Sequence, residues 1–248
     1  MWHFPVGTVF IKHFEIKVDQ DSVKRLETRF LVMSKDNRAY GLTYRWNDIE
    51  SDARLVGISE ALQDTLLVNS PLARVSQVWN YPTRSECLRC HNESAGYVLG
   101  FKSNQLNQPS KEENQLDAFH SEGYFDHEVS RQSVPMTSLS NSTATLERRV
   151  RSYLDANCSH CHQPATGLNS FDARYDPPLS EQGILNRATN TQNSDLNNLI
   201  VAPGDLARSE LWRRDTSETA IQMPPLARNV LDTAYLSQLE EWILGMKA

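Results

Sequence analysis

The sequence has few cysteines, and none of them stands outside two short motifs. The 248 residues contain four: Cys87, Cys90, Cys158 and Cys161. Both pairs have the form C-x-x-C-H, as "CLRCH" ending at His91 and as "CSHCH" ending at His162. No cysteine is left over for another role, so the two motifs are expected to serve the same purpose.

Other features are missing as well, and each absence excludes a class of protein. The 25 basic residues are outnumbered by 31 acidic ones, and this net charge of −6 argues against a nucleic-acid or anionic membrane partner. No apolar run has the length of a membrane span, so no membrane insertion is expected. The start, "MWHFPVGTVF", lacks the basic and apolar regions of a signal peptide. Motifs of serine hydrolases, zinc proteases, P-loop enzymes and dinucleotide-binding enzymes do not occur.

The spacing of both motifs suits covalent attachment of haem c. Two cysteines three positions apart can bind both vinyl groups at one porphyrin edge, and the next histidine can ligate the iron. Zinc would also use C-x-x-C pairs, whereas a dithiol or a disulfide within each pair would need no histidine. Because both pairs are followed by a histidine, we predict two haem c groups, with His91 and His162 as proximal ligands.

Residues 141–248 contain helical patterns on both sides of the second motif. Four residues recur at every fourth position and predict a helix that ends at the motif: Leu146, Val150, Leu154 and Cys158. A polar stretch rich in Pro and Gly then predicts a loop. Met223 precedes two prolines in "AIQMPPLA", where an extended chain can present its sulfur to a metal. A closing amphipathic helix is predicted in "DTAYLSQLEEWILGM".

This order of elements resembles the small monohaem cytochrome c domains of bacterial electron transfer. The "MPP" segment, the upstream "PGD" and the "WI" pair of the last helix carry the resemblance. It implies His162 as the proximal ligand and Met223 as the distal ligand of the second haem. We therefore expect residues 141–248 to form an all-α, cytochrome c-like domain.

Residues 1–140 show a different pattern. The runs "TVFIKHFEIKV", "RLETRFLVM" and "AYGLTYRW" are rich in β-branched and aromatic residues and are separated by polar turns. They predict an antiparallel β subdomain that leads into the first motif. The expected fold class is therefore α+β, with a β-rich domain of residues 1–140 that holds the first haem and an all-α domain that holds the second.

This first half also resembles the β-rich regions of secreted or periplasmic di-haem redox proteins of bacteria. The runs that carry the likeness are "FPVGTVFIKHFE", "RLETRFLV", "YGLTYRWN", "ECLRCH" and "LGFKSNQLN". In some of those proteins the region is fused to carbohydrate-binding or quinoprotein modules, so the chain is expected to be able to serve as one module of a larger secreted protein.

The sequence leaves the distal ligand of the first haem open. His13 lies within a predicted strand, and a rigid strand is a suitable place from which to offer an imidazole. The other candidates are His120, His127, Met33 and Met136, and a vacant or water-bound position is a further alternative. We take His13 as the leading prediction.

Together these patterns predict a di-haem c-type cytochrome that exchanges electrons with a redox protein. Because bacteria attach haem c outside the cytoplasmic membrane, we expect a periplasmic or secreted protein. An open first haem would instead favour a peroxidase-like enzyme, and exposed aromatic residues would favour a module that binds a partner or a glycan. We expect an electron carrier rather than a catalyst.

Overall fold

The computed structural model describes most of the chain and divides it into two compact units. The described residues are 2–69, 74–108, 114–126, 133–168, 170–189 and 197–247. The sheet unit contains His3–Val98 and Leu226–Asn229, and the helix-and-loop unit contains Met1–Trp2, Leu99–Pro225 and Val230–Ala248. The domain boundary expected between residues 140 and 141 stays a prediction.

Within the described residues of the sheet unit, six strands form two antiparallel sheets. The four-stranded sheet has the order β1-β2-β3-β4, and β5 pairs with β6 in the other sheet. The elements are β1 (Val9–Asp19), β2 (Ser22–Met33), β3 (Ala39–Trp46), β4 (Ala53–Leu55), β5 (Leu62–Asn69), β6 (Arg74–Tyr81) and α1 (Arg84–Cys90). β1, β2 and β3 coincide with the three β-branched and aromatic runs of the sequence, whereas β4, β5 and β6 lie outside those runs.

Alternation along β2 and β3 gives the four-stranded sheet two distinct faces. Successive side chains of a strand point to opposite faces, and directly paired residues share a face. The inner face carries Glu27, Arg29, Leu31 and Met33 of β2 with Ala39, Gly41, Thr43 and Arg45 of β3. The outer face carries Thr28, Phe30 and Val32 with Tyr40, Leu42 and Tyr44. Most inner-face residues are buried, whereas most outer-face residues are partly exposed.

A bulge in β2 turns two neighbouring side chains toward the core. The pairing with β1 skips Leu26, which lies between the paired residues Arg25 and Glu27. An extra residue of this kind bends the strand, and both Leu26 and Glu27 are buried, at 1% and 0% exposure. The Glu27 carboxylate accepts hydrogen bonds from Arg29 Nε at 2.9 Å and from Trp79 Nε1 at 3.1 Å. These partners offset the cost of burying its charge.

The sheet of β5 and β6 packs on this inner face. Arg45 of β3 forms an ion pair with Asp64 of β5, with an N–O distance of 2.9 Å. The hydroxyl of Tyr81 donates to the same carboxylate at 2.6 Å. Apolar side chains fill the rest of the contact: Leu26, Val56, Leu66 and Tyr81.

The helix-and-loop unit is built around two helices of 13 residues each, α4 and α6. Its helices are α2 (Ser103–Leu106), α3 (Gln115–Ser121), α4 (Leu146–Cys158), α5 (Glu210–Asp215) and α6 (Thr233–Gly245). Tyr153 of α4 stacks on Tyr235 of α6, with ring centroids 3.7 Å apart. Among the described residues, no helix combines the length and the apolar character that crossing a membrane requires.

The fold class predicted from the sequence is wrong in its C-terminal half. Helices make up only 25% of the described residues, and residues 141–248 do not form the expected all-α, cytochrome c-like domain. Between α4 and α5, the described residues form a single 3-10 turn, Pro164–Thr166, and isolated bridges such as Leu185 with Val201. The polar stretch between α4 and α5 lacks helical periodicity. Its buried residues therefore belong to irregular segments that pack on the core, and not to a helix.

Leu239 of α6 provides a test of this packing. Its side chain is fully buried, whereas Leu244 of the same helix is 51% exposed. We expect Leu239→Ala to lower the free energy of unfolding by about 2–5 kcal/mol, because it leaves a cavity between α4 and α6. Leu244→Ala should change it by less than about 1 kcal/mol. Urea denaturation of both variants measures the difference, and equal losses would contradict the placement of α6.

Candidate functional site

The first motif lies on α1, which begins at a capping box. The backbone N–H of Glu86 donates to Thr83 Oγ1 at 3.4 Å, and the backbone N–H of Thr83 donates to Glu86 Oε2 at 2.8 Å. This reciprocal pair fixes the start of the helix just before the motif. Cys87 and Cys90 are three positions apart on the helix, so they share one side of it.

His91 follows the helix, and its ring is held by the main chain. Nδ1 lies 2.6 Å from the backbone carbonyl oxygen of Tyr97. A carbonyl oxygen only accepts hydrogen bonds, so Nδ1 carries a proton, and in the neutral ring the lone pair lies on Nε2. A 3-10 turn at Glu93–Ala95 and the left-handed residues Gly96 and Tyr97, with φ of 69° and 62°, fold the carbonyl back toward the ring. The arrangement leaves Nε2 as the nitrogen able to bind a metal.

Cys87 packs against the inner face of the four-stranded sheet at Gly41. A β carbon built on Gly41 would lie 2.8 Å from both the β carbon and the sulfur of Cys87, which is closer than real β carbons approach. Glycine at this position therefore allows α1 to lie against β3. Burial raises the pKa of the Cys87 thiol, although the Arg29 guanidinium and the Thr43 hydroxyl favour the thiolate. The neutral thiol is therefore favoured, which does not suit thiolate chemistry.

The structure places His13 on the opposite face of this sheet. His13 pairs with Thr28, which pairs in turn with Tyr44, so these three residues share the outer face. Gly41, which Cys87 contacts, is three positions from Tyr44 along β3 and therefore points to the inner face. His13 is exposed, and its Nδ1 lies 2.8 Å from Thr28 Oγ1. The sheet thus separates the side chain of His13 from Cys87.

The second motif begins at the last residue of α4. The side chain of Thr145 caps the helix by accepting a hydrogen bond from the Arg148 N–H at 3.2 Å. Val150 and Leu154 are buried in the core and belong to the apolar stripe of α4 that ends at Cys158. Burial and the nearby carboxylates of Asp215 and Asp155 raise the pKa of the Cys158 thiol above its ordinary value. This cysteine too is favoured as a neutral thiol.

His162 is oriented by a hydrogen bond and by a stacked ring. Its Nδ1 lies 2.8 Å from Ser170 Oγ, and its ring stacks on Phe171 with centroids 4.6 Å apart. Burial lowers the pKa of His162 to about 4, helped by the nearby His160 and Arg214. The imidazole is therefore neutral at physiological pH, which is the form that binds a metal.

A partly buried ion pair holds the chain between the two cysteines of the second motif. Lys102 Nζ donates to Asp155 Oδ1 at 2.5 Å and to Ser159 Oγ at 2.6 Å. Asp155, whose side chain is 3% exposed, also accepts from the Tyr175 N–H at 2.8 Å. Ser159 is the first residue after Cys158, so this cluster holds the motif at its first cysteine.

The other sequence-predicted ligands are distributed over both units. Met223 is partly buried after α5, and its N–H donates to the carbonyl of Arg214 at 3.1 Å. Arg214 is one of the groups that lower the pKa of His162, so the Met223 main chain is tied to the surroundings of that ring. Met33 lies on the inner face of the sheet unit.

Three remaining candidates are found elsewhere in the sequence. His120 is exposed at the end of α3. Met136 is buried in the helix-and-loop unit at 7% exposure, and its N–H donates to the Asn104 carbonyl at 2.9 Å. His127 lies outside the described residues.

Sequence reasoning missed the groups that orient the two histidines and anchor the second motif. Gly96 signals a turn after His91, but it does not reveal that the Tyr97 carbonyl faces Nδ1. Ser170 and Lys102 carry no local signal, since both are ordinary polar residues that only the folded chain brings to the motif.

Comparisons with known proteins add no relative. No family model matches the chain, and no curated protein sequence or solved structure is significantly similar to it. The interpretation of the site therefore depends on its own geometry.

Gly41→Ala tests the contact between α1 and β3. Because the added methyl group would overlap Cys87, we expect the free energy of unfolding to fall by about 1–3 kcal/mol. Gly245→Ala is the control, because a β carbon there meets nothing within 4 Å. Urea denaturation of both variants gives the comparison. A Gly41→Ala protein as stable as the control would mean that Cys87 does not lie against β3.

Proposed function

We propose that the chain is a di-haem c-type electron carrier, with haem attached at Cys87 and Cys90 and at Cys158 and Cys161. The observation that carries this proposal is the same at both motifs. The histidine after the second cysteine has its Nδ1 within hydrogen-bond distance of an oxygen, at 2.6 Å for His91 and 2.8 Å for His162. A hydrogen-bond partner on one imidazole nitrogen is typical of metal-bound histidines, since it orients the other nitrogen toward the metal.

The chemistry of the cysteines supports thioether bonds over the alternatives. Cys87 and Cys158 carry thiols outside any disulfide, which argues against a disulfide within either pair. Burial raises the pKa of both thiols, which disfavours the free thiolates that dithiol exchange uses. A thioether is neutral and suits a buried site. The donor sets therefore fit haem c at both motifs.

A bound haem c supplies a reversible one-electron iron couple. The residues of the chain hold and tune that couple. His91 and His162 are the proposed iron ligands, and the hydrogen-bond contacts at Nδ1 keep the rings in place. Met223 is proposed as the distal ligand of the second iron, and its thioether would favour the reduced state.

The proposed setting is outside the cytoplasm, in the periplasm or as a secreted protein, because haem c is attached there in bacteria. The proposed partner is a redox protein. The net charge of −6 favours a partner with a cationic docking surface, since opposite charges accelerate encounter.

Haem stoichiometry tests the proposal directly. Protein made with the haem-attachment machinery should carry two covalent haems per chain, measured by mass spectrometry and by absorbance of the alkaline pyridine complex. Replacing both cysteines of either motif with alanine should leave one haem, and replacing all four should leave none. Zinc at equimolar amounts without covalent haem would contradict the proposal.

The pair of Lys102 and Asp155 provides a second test, because its charges flank the second motif. Lys102→Met leaves the carboxylate without its cation and should lower one reduction potential, whereas Asp155→Asn leaves the ammonium and should raise the same potential. Each shift is expected to be on the order of tens of millivolts.

The double variant is the matched control, since it removes both charges and should return close to the original potential. A redox titration followed by haem absorbance gives the values. If the pair of Lys102 and Asp155 had only a structural role, both single variants would loosen the second motif. Both would then shift the reduction potential in the same direction. That result would place the charge pair away from the haem.

A further inference from the structure

The inner face of the sheet unit carries a buried methionine beside the first motif. β2 pairs with β3 from Glu27 to Met33 without a shift in register. Alternate residues of β2 therefore stay on the same face along this whole stretch. Met33 opposes Ala39 directly and Gly41 diagonally, and diagonal neighbours on one face lie about 7–8 Å apart. Because Cys87 packs on Gly41, it lies on the face of Leu31, which opposes Gly41 directly, and Met33 is the next residue of β2 on that face.

The surroundings of Cys87 confirm which face it occupies. Arg29, Glu27 and Thr43 all influence the pKa of its thiol, and all three belong to the inner face. Met33 is 8% exposed on that face. Between Met33 and Cys87, β3 contributes only Ala39 and Gly41, the two smallest kinds of residue. No bulky side chain of β3 stands between the thioether and a group anchored at Cys87.

Other potential ligands of this unit are less well placed. His13 points to the outer face, where its Nδ1 contacts Thr28. His3 is exposed near the start of the chain. Met33 is the one methionine in the sequence of the sheet unit. Among the residues of this unit that carry a histidine nitrogen or a thioether, apart from His91, only Met33 is both buried and on the face of Cys87.

We propose that Met33 is the distal ligand of the first haem iron, opposite His91. The inference rests on the proposed attachment of haem at Cys87 and Cys90. A thioether at this position would favour reduced iron and raise the potential relative to a second imidazole. The first haem would then have the same pair of ligand types as proposed for the second, a histidine and a methionine.

Conservative substitutions in the intact two-haem protein test this assignment. Methionine-to-iron ligation gives a weak sulfur-to-iron charge-transfer band in the oxidised protein. We expect Met33→Leu to reduce this band to about half, Met223→Leu to reduce it to about half, and the double variant to abolish it. Leucine is close to methionine in volume, so the fold should survive. The matched control is Met136→Leu, the same change at another buried methionine, which should retain the full band.

Met33→His supplies an independent readout. An imidazole from this position should keep the first haem low-spin, lower its potential, and prevent the carbon monoxide binding that Met33→Leu should permit in the reduced state. A full charge-transfer band and unchanged carbon monoxide reactivity in Met33→Leu would overturn the assignment. Protein without covalent haem would instead refute the proposed function, so the two failures are distinguishable.

Discussion

The close approach of Cys87 to Gly41 is the contact on which the sheet unit's candidate site depends. Because Gly41 has no side chain, the first helix can place its cysteine directly on the inner face of the sheet. The same contact decides which residues surround the motif. Strict alternation along β2 and β3 brings Arg29, Thr43 and Met33 to the side of Cys87 and turns His13 away from it.

The second motif is stabilised in another way. α4 buries a stripe of apolar residues and ends at Cys158, so the packing of the helix determines where the motif begins. The charged cluster of Lys102, Asp155 and Ser159 then fixes the first residue after that cysteine. A buried carboxylate is tolerated here because an ammonium and a backbone N–H both satisfy it. The two motifs thus share the C-x-x-C-H sequence, but different contacts hold them in place.

Both histidines show how the same C-x-x-C-H spacing acquires its chemistry from groups outside the motif. His91 donates to a main-chain carbonyl, whereas His162 lies beside a serine hydroxyl and an aromatic ring. Each contact orients the ring through Nδ1, and the burial of His162 keeps its ring neutral. This common arrangement is the reason that metal ligation by both histidines is part of the proposed function.

The sequence by itself determined the cysteine pairs, the histidines beside them, the first three strands and the helices that begin at Leu146 and Thr233. These features are local, since spacing and alternation depend on neighbouring residues alone. It failed where the outcome depends on distant parts of the chain. The all-α domain expected after Cys158 is wrong, because irregular chain contributes to that core. His13 stays a prediction as a distal ligand, although the sequence could not show which face of the sheet its side chain occupies. A shift of one residue in pairing reverses the face of every side chain, so only the tertiary register separated His13 from Met33.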